Sequence, residues 1–201
     1  MPKIQDREYR AMTLPLALAQ AGHTKRFDTE NYVEGYATKF DAPYVLYEWE
    51  GVKYYEVVDR NALAEADLSD VIMQYNHEGK VLARITNKTL GIEADTNGLF
   101  MFADLSKSRA ALDLYEEISA GLITKMSWAF RVSENAYNKD TRTRTILKIK
   151  KVYDVSAVSY PANAGTDIAA RSYFDGVIEA ERREALALQR QLLQLKIKLE
   201  V

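Results

Sequence analysis

Residues 123–132 read Ile123-Thr124-Lys125-Met126-Ser127-Trp128-Ala129-Phe130-Arg131-Val132. Apolar and aromatic residues dominate this run, and one small hydroxyl stands in its middle. Such side chains fit a pleated, largely buried surface, so the stretch is expected to be a core strand. Alternation puts Ser127, Ala129 and Arg131 on one face and Trp128, Phe130 and Val132 on the other. The bulky set is expected to face the core, leaving Ser127 and Arg131 toward a surface groove. A polar turn follows over 135–143, then a second long strand over 144–159 that Pro161 ends. Asp154 lies inside the apolar run Val152-Tyr153-Asp154-Val155-Ser156-Ala157-Val158. A carboxylate in such a place is costly unless it is paired or exposed.

Upstream, Ser106 or Ser108 caps a helix expected to reach about Ser119, with Leu112, Tyr115 and Ile118 on its apolar face and Gly121 as its stop. Before it, the apolar runs 89–94 and 99–103 are joined by Asp95-Thr96-Asn97-Gly98, where the Asn-Gly pair signals a tight hairpin. Residues 71–75 read as a strand entering the polar turn Asn76-His77-Glu78-Gly79, with strand character resuming over 81–85. If the first strand extends that far, Tyr75 and His77 share a face. Residues 59–66 suit a short helical turn, and 44–58 a hairpin around Glu50-Gly51. Tyr32, Tyr36 and Phe40 mark a strand over 31–41, with Gly35 as a bend or bulge.

Residues 1–30 read as a peripheral arm. A short helix over 13–21 is limited by Pro15, and His23 is expected to be exposed. From Asp175 onward, Ala185, Leu188, Leu192, Leu195 and Leu199 recur three and four residues apart, the pattern of a helix with a short coiled-coil-like seam. That seam suits either docking on its own domain or association with a partner or a second copy. The expected class is α+β and mostly β, a barrel-like mixed sheet flanked by a few helices, with a C-terminal helix. The expected division is 1–30 arm, 31–171 main domain and 172–201 helical tail.

With 27 Lys and Arg against 29 Asp and Glu, the net charge is -2, which gives no electrostatic footprint for nucleic acid or a membrane surface. No apolar run is long enough to span a bilayer, and the N-terminus lacks a signal-peptide core. The absence of cysteine removes thiol nucleophiles, disulfides and thiolate metal sites. The two histidines, His23 and His77, form no local metal pair of the HExxH kind, and no metal or cofactor is expected.

Any imidazole chemistry must use one of those histidines. Serine is a weak nucleophile until a base takes its proton, and a carboxylate commonly fixes the tautomer of that base. Ser127, His77 and Asp154 are one residue of each type placed in or beside expected strands. Each also has an ordinary structural explanation, and chain order alone does not show that they meet.

At these segments the chain resembles the prohead, or capsid maturation, serine proteases of tailed phages, distant relatives of the herpesvirus assemblin proteases. The matching pieces are Val33-Glu34-Gly35-Tyr36-Ala37, Tyr75-Asn76-His77-Glu78, Val81-Leu82-Ala83-Arg84, Gly98-Leu99-Phe100, Gly121-Leu122-Ile123 with Met126-Ser127-Trp128-Ala129-Phe130, and Asp154 through Ala162. They keep the family's order over roughly residues 31–171. The resemblance implies a herpesvirus-protease-like fold with His77 as the catalytic histidine, Ser127 as the nucleophile and Asp154 as the third member. Trp128 and Ala129 depart slightly from the family's usual pair. Assemblins use a second histidine as the third member, a role open here only to His23, with Glu78 and Glu56 as weaker substitutes. Arg131, by its shared strand face, is a candidate oxyanion or substrate contact. The implied substrates are a scaffold protein or the scaffold-like segment of the major capsid protein, and the protease itself, in host cytoplasm inside the procapsid. The alternative is an inactive capsid-assembly or scaffolding module on the same fold.

Overall fold

The computed structural model describes residues 7–18, 24–159 and 168–199. In chain order these form β1 (Glu8–Leu18), β2 (Tyr32–Lys39), β3 (Tyr44–Trp49), β4 (Val52–Val58), β5 (Ile72–Tyr75), β6 (Glu78–Arg84), β7 (Leu90–Ala94), β8 (Gly98–Asp104), α1 (Arg109–Ser119), β9 (Lys125–Asn138), β10 (Thr143–Val158) and α2 (Ile168–Leu199). The strands follow the order β3-β4-β10-β9-β1-β2-β8-β7, with β5 and β6 branching off β10. The mostly β, α+β class is as expected. The sheet does not close into a barrel, because no pairing among the described residues joins β7 to β3.

The N-terminal arm does not lie at the periphery. Residues 8–18 are a strand inside the sheet, not a peripheral segment or a helix. The first half of β1 pairs with β9 and the second half with β2, with a register shift between Met12 and Pro15. Alanine and leucine favour helices only weakly, and two flanking strands with open edges outweigh that preference. Pro15 sits where the ladder is irregular, the place in a sheet that tolerates a missing N–H. His23 and Pro161 lie outside the described residues.

The hairpin at Glu50-Gly51 forms as expected, with φ of 49° and 77° at its two central residues. The Asn97-Gly98 hairpin uses a different turn from the one its sequence suggests. Neither residue has a positive φ, and the Asp95 carboxylate accepts hydrogen bonds from the backbone N–H of Asn97 and Gly98 at 2.7 and 2.9 Å. Glycine is needed at 98 because a Cβ there would sit 1.9 Å from the Thr38 carbonyl oxygen. Ser108 caps α1 through the Ala111 N–H at 3.2 Å, and Gly121, at φ 73°, ends it. The face α1 buries is Ala111, Leu114 and Ile118, one step round from the expected stripe of Leu112, Tyr115 and Ile118.

Trp128 and Phe130 stack at 4.0 Å and face the main core with Met126 and Val132, as alternation required. A second apolar cluster gathers Leu46, Tyr47 and Tyr54 of the β3–β4 hairpin around Tyr173, Phe174 and Val177 of α2. Of the two readings of the C-terminal helix, docking on its own domain holds for its start. Further along, Leu188, Leu192 and Leu195 are more than half exposed.

Candidate active site

Three adjacent strand systems build the site. β9 carries Ser127, β10 carries Asp154, and the β5–β6 hairpin carries His77. β5 runs parallel to β10, with Asp154 opposite Ile72 and Ala157 opposite Tyr75. β5 ends at Tyr75, so His77 does not continue the strand. Tyr75 pairs with Glu78, which makes Asn76 and His77 the two central residues of a tight hairpin. Their φ angles of 50° and 61° are the pair that a type I′ turn demands. Asn76 fixes this turn to the end of β10. Its N–H donates to the Ala157 carbonyl at 2.9 Å, and its side-chain oxygen accepts from the Ser159 N–H at 3.1 Å.

Asp154 reaches the site through an irregularity that alternation does not encode. Across β9 and β10, Val152 pairs with Phe130 but Asp154 pairs with Ala129, so Tyr153 is the extra residue of a β-bulge. Without it, Asp154 would pair with Trp128 and point into the apolar core. With it, Asp154 and Ser156 stand on the face of Ser127 and Ala129, and Ser156 pairs directly with Ser127. Re-aiming one side chain is the common use of such bulges beside active sites.

The three side chains then meet in series. His77 Nδ1 lies 2.5 Å from Asp154 Oδ1, and His77 Nε2 lies 2.6 Å from Ser127 Oγ. A carboxylate can only accept, so Nδ1 carries the ring proton and Nε2 is left as the base facing the hydroxyl. Asp154 is 2 % exposed, and its burial is compensated by two donors on Oδ1: the imidazole and Ser156 Oγ at 2.7 Å. Ser127 is only 1 % exposed, so it does not line the open groove that its strand face suggested. Its hydroxyl has a second acceptor, the Arg10 carbonyl of β1, at 3.0 Å. Tyr9 shares this face and packs its ring edge-on against His77, centroids 4.9 Å apart.

Among the other candidates, Arg131 is half-buried and pairs with Lys151 further along β9. Glu78 opens β6 and is exposed. Glu56 belongs to a separate buried network. There the Glu8 and Glu56 carboxylates interleave with the Arg10 and Arg144 guanidinium groups, all four at most 2 % exposed. Arg10 Nε donates to Glu56 Oε1 at 2.6 Å, Arg144 Nη1 donates to Glu8 Oε2 at 2.7 Å, and the Tyr44 hydroxyl donates to Glu56 Oε1 at 2.6 Å. Burial alone would raise the Glu8 carboxyl, but the hydrogen bond from Arg144 and the charges of Arg10 and Arg144 outweigh it and hold the pKa at about 2. Sequence reading missed Ser156, Tyr9 and Asn76. The spacing Asp154-x-Ser156 and the tolerance of Asn and His for positive φ were the available signals.

A hydroxyl, an imidazole and a carboxylate in series on neighbouring strands is the arrangement of a serine hydrolase. The chain also matches the family model of the caudovirus prohead serine proteases over residues 20–177, and it belongs to that family. Its structure is similar to that of the bacteriophage T4 capsid assembly protease, with 11% sequence identity, a TM-score of 0.48, and 78% of this chain and 98% of that chain covered. No curated protein matches the sequence.

Proposed function

We propose that the chain is a serine endopeptidase of capsid maturation in which Ser127 is the nucleophile, His77 the general base and Asp154 the group that orients and stabilises the imidazole. The single observation behind this reading is that His77 bridges the other two at 2.5 and 2.6 Å. In the first half-reaction Ser127 Oγ attacks the peptide carbonyl while its proton passes to His77 Nε2. The imidazolium then protonates the leaving amine. In the second half-reaction water, deprotonated by His77, releases the acyl group. Family membership supports as substrates a scaffold protein or the scaffold-like part of the major capsid protein, with self-cleavage, inside the immature shell. Arg131 is assigned to the substrate chain rather than to the oxyanion. It stands about 13 Å along the strand from Ser127, too far for a donor that must lie roughly 3 Å from the reacting oxygen.

A scissile carbonyl must come within about 3–3.5 Å of Oγ, which a serine 1 % exposed does not allow. Activity on this reading includes a local opening near β1 and Tyr9. The test is co-expression with the cognate capsid protein. Wild type should convert capsid protein and itself to shorter forms, and Ser127→Ala should lose that conversion by on the order of 10⁴-fold or more, with stability changed by about 1 kcal/mol or less. Equal processing by both proteins would sink the Ser127 assignment, and no processing by wild type would leave the inactive assembly module as the better account.

A further inference from the structure

We infer that Ser156 is a positioning residue of the catalytic carboxylate, an inference that rests on the reading of Ser127, His77 and Asp154 as the catalytic set. Ser156 is 0 % exposed and stands directly opposite Ser127 across the β9–β10 ladder. A buried hydroxyl in a strand needs an acceptor, and the backbone ladder normally uses the neighbouring carbonyls. Ser156 Oγ donates instead to Asp154 Oδ1 at 2.7 Å, the same oxygen that receives His77 Nδ1 at 2.5 Å.

Two donors on one carboxylate oxygen fix more than its ionisation. A single imidazole contact leaves a carboxylate free to rotate about its terminal torsion, which is broad for aspartate. The second contact, from a hydroxyl locked by the ladder, removes that freedom and aims Oδ1 at His77. The imidazole is then held with Nε2 toward Ser127, not turned toward the Ser156 hydroxyl beside it. The local sequence Asp154-Val155-Ser156 supplies both groups on one face, and the Tyr153 bulge turns both toward Ser127 together. Ser156 is thus a hydroxyl beside the nucleophile whose proton is already committed to Asp154.

The test uses the full-length protein and an alkyl fluorophosphonate. In that reaction Ser127 Oγ forms a bond to phosphorus, the P–F bond breaks, fluoride leaves and the serine proton goes to His77. A hydrogen bond to a charged group is worth roughly 1.5–3 kcal/mol, so Ser156→Ala should slow labelling roughly 10- to 100-fold while the probe still saturates at the same concentration. Ser156→Thr, which keeps the hydroxyl, should stay near the wild-type rate. The low-field proton resonance of His77 Nδ1–H should move in Ser156→Ala and return in Ser156→Thr, an outcome a merely structural role would not produce. Wild-type labelling and an unmoved resonance in a folded Ser156→Ala protein overturn the inference, as does equal slowing by Ala and Thr. Labelling that survives in Ser127→Ala would instead sink the nucleophile assignment. If the wild type does not react with the probe, the resonance alone decides, in the same two directions.

Discussion

Strand β1 is gripped by two buried polar networks, and the two differ in what they are free to do. Toward one face, Glu8 and Arg10 join Glu56 and Arg144 in a closed set of two anions and two cations. Toward the other, the Arg10 carbonyl touches Ser127, which leads through His77 to Asp154 and Ser156. Both sets are almost sealed from water. The quartet is charge-balanced, with burial opposed in each arginine by the adjoining carboxylates, which keep both guanidinium groups charged. The proposed catalytic set contains one imidazole, with 16% of its side chain exposed. Burying polar groups is therefore not itself a sign of catalysis. What marks the second network is an imidazole between a hydroxyl and a carboxylate, and an edge that meets solvent.

The quartet side of this contrast carries the largest expected effect on stability. Arg144→Met leaves Glu8 and Glu56 short of a buried partner and should cost about 3–5 kcal/mol in urea unfolding. Replacing all four charged residues with apolar ones of similar volume should recover most of that loss. Failure to recover would mean that the quartet specifies the fold as well as filling it. Acid probes the same set. Glu8 binds its proton near pH 2 when folded and near 4.5 otherwise, so its stabilisation is complete above pH 4.5 and disappears as pH falls from 4.5 toward 2. Glu8→Gln should flatten the pH dependence of the unfolding midpoint in that window, and an unchanged slope would assign the acid response elsewhere.

On the side of the proposed catalytic set the stored cost is conformational. His77 holds φ at 61°, a region that charges non-glycine residues roughly 1 kcal/mol or more. His77→Gly and His77→Ala both remove the imidazole, so their difference isolates the backbone. Gly should be the more stable by about 1 kcal/mol, and equal melting curves would remove strain from the account. The smallest effect is expected at the tail. The Tyr173 ring lies over the Arg144 guanidinium at 4.2 Å, which ties the start of α2 to the quartet. Ending the chain after Glu184 keeps that contact and should leave the melting temperature within about 1 °C. Ending it before residue 168 is the contrasting cut: it strips Tyr173, Phe174 and Val177 from the second apolar cluster as well as the contact, and should lower the melting temperature by several degrees at least, since 1 kcal/mol corresponds to roughly 2–4 °C in a chain of this size.

How far the sequence could be read follows from the range of the forces involved. Alternation over 123–132 separated Trp128 and Phe130 from Ser127, and the hairpin at Glu50-Gly51 was legible from its turn residues, because both depend on neighbours a few positions away. Elsewhere a local signal was present but answered a different need. Asn97-Gly98 spelled a turn type that Asp95 replaces with its own carboxylate, whereas Asn76-His77, without a glycine, adopts the two positive φ angles. The glycine at 98 answers to a carbonyl on another strand.

Residues 123–132 and 144–159 thus determined by themselves that this chain would build its core on two long strands, with Ser127 on one and Asp154 on the other among apolar residues. Only the tertiary structure decided that the two polar side chains face the same way, because one extra residue at Tyr153 reverses the parity of β10 against β9. It also decided that β1 is a strand. An isolated segment of alanine and leucine has weak preferences, and the hydrogen-bonding edges of β9 and β2 settle the matter only after the rest of the sheet exists.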